Sequence, residues 1–113
     1  MKKQVLLCCL LATVVGANAQ WKPVGDKIKT KWAEQINPSA VLPEYPRPTL
    51  ERSDWKNLNG EWAYAIREKG EVEPAAFDGN ILVPFAIESS LSGVQKNVGE
   101  MNELWYKRLF TVP

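Results

Sequence analysis

Between Glu61 and Arg67 the side chains alternate in size. Trp62, Tyr64 and Ile66 point one way and Ala63 and Ala65 the other. That is the period-two pattern of a strand with a bulky face and a close-packed small face. Two further windows have strand character. Ile81-Leu82-Val83 is apolar and largely β-branched, and Pro84 stops it. Proline has no N–H to give a ladder, so this run reads as an edge or terminating strand. Leu104 to Val112 is rich in aromatic and β-branched residues. Trp105, Lys107, Leu109 and Thr111 fall on one face, and Tyr106, Arg108, Phe110 and Val112 on the other. Neither face is purely polar, which predicts a strand inside a sheet covered on both sides. The fold class expected from these windows is all-β. No internal repeat or low-complexity segment is present.

The connecting segments carry different signals. Ile28, Trp32 and Ile36 are spaced i, i+4 and i+8, which suits one face of a short helix, capped by Asp26 and ended before Pro38. Asn37 to Pro48 holds prolines at 38, 43, 46 and 48. Such an arm is extended and unable to enter a sheet interior, and Tyr45 can pin it to a surface. Ser53 can cap a turn containing Asp54 and Trp55. Asn57-Leu58-Asn59-Gly60 supplies turn residues ahead of the first strand, with Asn-Gly favouring positive φ. Glu68 to Gly79 is a charged loop, and Ser89 to Asn102 a small, polar one.

The first nineteen residues have the order of a secretory signal peptide. Lys2 and Lys3 precede an apolar run from Val5 to Val15, and Ala17-Asn18-Ala19 is a small-x-small cleavage pattern. The run is shorter than the roughly 20 residues that a spanning helix needs. The mature chain is then expected to begin at Gln20, exported to the periplasm or cell exterior, with no membrane attachment after cleavage. Both cysteines, Cys8 and Cys9, leave with the signal, so core burial and not disulfides must hold the fold. With no histidine anywhere, a Ser-His-Asp triad, a histidine base and the usual zinc sites are excluded in this chain. Fourteen Lys and Arg less Lys2 and Lys3 leave twelve against thirteen Asp and Glu, a net charge of −1. No basic patch stands out, so nucleic acid is not an expected partner.

All five tryptophans, three tyrosines and three phenylalanines lie in the mature part. Large aromatics dominate core burial, and in an exported chain they also make sugar-stacking surfaces. A β-sandwich or jelly roll needs about seven or eight strands. Three strands with aromatic faces leave edges unpaired and apolar surface open. The expectation is the start of a larger β-domain.

Taken in order, four groups of residues resemble one family. They are Pro43-Glu44-Tyr45-Pro46-Arg47-Pro48; Asp54-Trp55-Lys56-Asn57-Leu58-Asn59-Gly60-Glu61-Trp62; Ile81-Leu82-Val83-Pro84-Phe85 with Glu88-Ser89-Ser90-Leu91-Ser92-Gly93-Val94; and Leu104-Trp105-Tyr106-Lys107-Arg108-Leu109-Phe110-Thr111-Val112-Pro113. Together, from about Asn37 to Pro113, they are similar to the N-terminal sugar-binding domain of glycoside hydrolase family 2, which includes β-galactosidases, β-glucuronidases and β-mannosidases. The resemblance implies a jelly-roll, galactose-binding-like β-sandwich, incomplete in this chain. It implies an immunoglobulin-like domain and a (β/α)₈ barrel downstream, the barrel carrying an acid/base and a nucleophilic glutamate about 5 Å apart for retaining hydrolysis of β-glycosides. Neither glutamate has a counterpart here, so no catalytic residue is assigned. No cofactor is expected in this chain, although family members often carry Mg²⁺ or Na⁺ and assemble.

Residues 1–19 are thus read as signal, 20–48 as an extension with the proline arm, and 49–113 as the first part of the sandwich. In some galactosidases of the family an asparagine after the Val-Pro motif reaches the sugar, and Asn97 lies in a comparable loop as the one candidate substrate-binding residue. Glu61 and Glu88 are read as solvated or backbone-capping carboxylates. Lys107 and Arg108 are read as structural cations, and Trp55, Trp62 and Trp105 as core or edge packing. The competing reading is a stand-alone, non-catalytic carbohydrate-binding or scaffolding module. A truncated product without a function of its own is a third.

Overall fold

The computed structural model describes residues 21–112. The signal-peptide segment lies outside the described residues. Three strands form one antiparallel sheet: β1 (Gly60–Glu68), β2 (Gly79–Val83) and β3 (Asn102–Lys107), in the order β2-β1-β3. The only helical turns among the described residues are two short 3₁₀ segments, Lys31–Gln35 and Ser90–Ser92. The fold is all-β, as expected from the three strand-like windows.

Register decides which side chains share a face. Trp62 opposes Ile81, Tyr64 opposes both Gly79 and Tyr106, and Ile66 opposes Leu104. This face holds the core, where Tyr64, Ile81 and Ile87 are buried and Trp62, Ile66, Val83, Val94, Val98 and Leu104 pack against them. Val94 and Val98 come from the segment that reads as small and polar, Ile87 from just before it, and together they fold back over the sheet. Full burial of an aliphatic side chain contributes about 1.5–3 kcal/mol, and Ile81 and Leu82 reach it completely.

The opposite face carries Ala63, Ala65, Arg67, Leu82, Trp105 and Lys107. The charged β1–β2 loop is held against it. Arg67 donates to Asp78 at 2.9 Å and to the carbonyl of Ala76 at 2.7 Å. Lys107 pairs with Glu73 at 3.1 Å and stands 5.5 Å from the Phe77 ring centre. Asp78 also accepts the Ile66 amide at 2.8 Å, and that bond, together with Arg67, lowers its pKa below the ordinary 3.8. A carboxylate with a depressed native pKa adds stability above its unfolded pKa and loses it as pH falls through the native one. Asp78→Asn is therefore expected to lower the melting temperature at pH 7 and to narrow its gap to wild type toward pH 3. An equal gap at both pH values would count against this.

The arm joins the sheet through side-chain amides. Asn57 donates to the Leu42 carbonyl at 2.8 Å and Asn59 to that of Val41 at 3.2 Å, while Asn57 Oδ1 accepts the Asn59 amide at 2.7 Å. Val41 is buried there. Tyr45 leans on Trp55, with ring centres 4.9 Å apart. Gly60 begins β1 at φ +126, and a Cβ there would meet Arg108 Nη1 at 3.2 Å. Glycine meets both demands.

Two expectations are corrected. The amphipathic helix through Ile28, Trp32 and Ile36 is a five-residue 3₁₀ turn, with Thr30 and not Asp26 at its N-cap. Three residues per turn do not align positions spaced by four. Ile28 and Trp32 are exposed, and the small Ala33 is what packs inward. The last strand is neither internal nor as long as its composition suggests. It pairs with β1 on one side, and its other side has no strand among the described residues. It ends at Lys107 because Arg108 turns to donate to the carbonyls of Leu58 and, at 2.8 Å, Asn59. Leu109, Phe110 and Val112 continue outside the sheet, exposed.

Candidate functional site

An aromatic cleft opens at the end of the core-bearing face. β1 supplies Trp62, whose indole N–H donates to the Leu58 carbonyl at 2.8 Å and so fixes the ring. β3 supplies Tyr106, edge-on to Trp62, with centroids 6.4 Å apart and planes at 85°. Val83, Pro84, Phe85 and Ala86 form the other wall, where the proline ends β2 and turns Phe85 toward the cleft. The volume is about 360 Å³, within the 300–1,000 Å³ range of small-molecule sites. The Arg108 guanidinium stands 6.0 Å from the Trp62 ring centre, within cation–π range.

Burial raises the Tyr106 phenol above its ordinary 10.0, and the charge of Glu88 raises it further. The hydroxyl therefore stays protonated and able to donate at neutral pH. Glu88→Gln is expected to bring this pKa down while leaving it above 10.0, because the burial contribution remains. A spectrophotometric titration of tyrosinate absorbance reads it, and no change on substitution would remove Glu88 from the site.

The arrangement suits binding. Aromatic faces stack against apolar C–H surfaces, and the Tyr106 phenol among the lining residues offers a donor and an acceptor. Glycoside hydrolysis needs two carboxylates across one bond. Glu61 lies on the opposite face of the sheet, where it accepts from Asn80 at 3.3 Å, so it does not join Glu88. Among the described residues, no three acidic, histidine or cysteine side chains gather as a metal site.

Asn97 is exposed and is not among the lining residues of this cleft. Its Oδ1 accepts the Gly99 amide at 2.9 Å, which commits it to its own turn. Its neighbour Lys96 instead reaches the Tyr64 hydroxyl at 3.3 Å. Lys107 serves the ion pair with Glu73, and Arg108 the carbonyls that open β1. Trp55 is partly exposed in a larger cleft of about 560 Å³ beside the arm. That cleft's amides, from Asn57 and Asn59, are spent on the Leu42 and Val41 carbonyls. The pairing of Tyr106 with Trp62 was hidden in the sequence because it depends on the β1–β3 register. The only local signal was an aromatic residue directly after a strand-ending proline. No protein-family model matches the chain, and a search of curated proteins returns no match.

Proposed function

We propose that this chain is the N-terminal sugar-binding portion of an exported retaining glycoside hydrolase acting on β-galactosides or related β-glycosides. The three strands are then the beginning of a jelly-roll sandwich, and the chemistry belongs to two glutamates of a downstream barrel. The observation that carries the reading is the cleft of Trp62, Phe85 and Tyr106, with the Arg108 guanidinium 6.0 Å from the Trp62 ring centre. It has the stacking surfaces and hydrogen-bonding rim that a sugar ring needs and lacks a carboxylate pair, which fits a binding portion and not a catalytic one. The order of the four sequence groups supports the family, and the charge, apolar core and Ala17-Asn18-Ala19 of the leader support export.

The deciding experiment reads the coding sequence past Pro113 and assays the full-length polypeptide on chromogenic β-galactoside and β-glucuronide. Hydrolysis of either, lost on replacing the barrel glutamates, supports the reading. A stop codon after Pro113 refutes the enzyme reading. It would leave a carbohydrate-binding module, which the same cleft favours because its chemistry is that of binding alone.

A further inference from the structure

A second cleft, of about 470 Å³, lies between residues 21–24 and the β1–β2 pair. Trp21 forms one wall. Its indole sits so close on Gly93 that a Cβ there would come within 2.9 Å of the ring. The wall is clipped in place. The Val24 amide donates to the Ser90 carbonyl at 3.0 Å, and the Ser90 hydroxyl donates back to the Val24 carbonyl. Glu61 and Asn80 form the facing side, joined through Asn80 Nδ2 and Glu61 Oε2 at 3.3 Å, and Lys22 stands at the rim. Gly79 puts backbone without a side chain along the cleft.

We propose that this cleft is a pyranoside-binding site, separate from the aromatic cleft, with which it shares no lining residue. An indole face takes the C–H face of a sugar ring. A carboxylate beside a carboxamide takes neighbouring hydroxyls, the first as acceptor and the second as donor and acceptor. Glu61 keeps Oε1 free for this, since only Oε2 meets Asn80. A nucleotide or phosphate is disfavoured, because the one ammonium of Lys22 is offset by Glu61. The choice of a sugar over other polyols rests on the carbohydrate reading above.

The test uses the full-length polypeptide labelled with 5-fluorotryptophan, with the Trp21 fluorine resonance assigned by its loss in Trp21→Phe. Methyl β-galactopyranoside is expected to shift that resonance saturably. Asn80→Ala and Glu61→Gln each remove an exposed partner and are expected to weaken binding about tenfold, the effect of one charge-assisted or bidentate contact. A Trp21 resonance that does not move, or that titrates in both variants with the affinity of the unsubstituted polypeptide, overturns the proposal. Hydrolysis by the same polypeptide is read separately. Hydrolysis with an unresponsive Trp21 overturns this site and leaves the glycosidase reading standing. A responsive Trp21 without hydrolysis supports the site and removes the glycosidase reading.

Discussion

Expressed as residues 20–113 alone, the chain is expected to be aggregated or to lack a cooperative thermal transition. Leu109, Phe110 and Val112 are 88%, 53% and 75% exposed, and Met101 and Tyr106 add to them on and beside β3. Both outer strands, β2 and β3, offer unpaired backbone to other copies. A three-stranded sheet with a small core is marginal by itself, and the strictly buried apolar set among the described residues is seven, two of them alanine. Light scattering with size-exclusion chromatography and a thermal melt together make the measurement. A monomer with a sharp transition would show that the sheet is self-sufficient and would end the reading of an unfinished sandwich.

What the sequence disclosed was set by local periodicity. β1 was legible because Trp62, Tyr64 and Ile66 alternate with alanines, and only one backbone period produces that pattern. β2 was legible because Pro84 ends an apolar run. The extent of β3 was not, because Leu109, Phe110 and Val112 have strand composition while Arg108, a residue with no strand-breaking character, draws the chain away through two carbonyls. The Trp21–Ile36 segment misled in the opposite direction. Its apolar residues repeat at helical spacing, yet the turn is 3₁₀ and its only buried residue is Ala33. The candidate site was half legible. The aromatic content pointed to stacking, but which rings meet depends on pairings that link residues about forty positions apart, such as Tyr64 with Tyr106. Asn97 was singled out by its loop and by the resemblance, and in the structure its Oδ1 accepts the Gly99 amide of its own turn.

Ser92→Ala is expected to have the largest effect of any single-atom change in the described residues. Ser92 is fully buried in a segment whose other small polar residues read as solvated loop. Its hydroxyl lies 2.7 Å from the Ser89 carbonyl and 3.1 Å from that of Ile87, and it accepts the amides of Val94 at 3.0 Å and Gln95 at 3.3 Å. These bonds fold the Ile87–Val98 segment so that Ile87, Val94 and Val98 cover the sheet. Alanine leaves almost no cavity but strands buried donors and acceptors, at about 1–3 kcal/mol for each group left unpaired. A loss of about 2–3 kcal/mol in local stability follows, equivalent to roughly thirty- to a hundred-and-fifty-fold less protection of the Val94 and Gln95 amides. Ser89→Ala is the control. It removes one hydroxyl acceptor from the Leu91 amide at 3.1 Å, an N-cap worth about 1 kcal/mol. Hydrogen exchange on peptides spanning 87–98 of the full-length polypeptide compares the two. If Ser89→Ala loosens the segment as much as Ser92→Ala, the buried hydroxyl is not what holds the segment against the sheet.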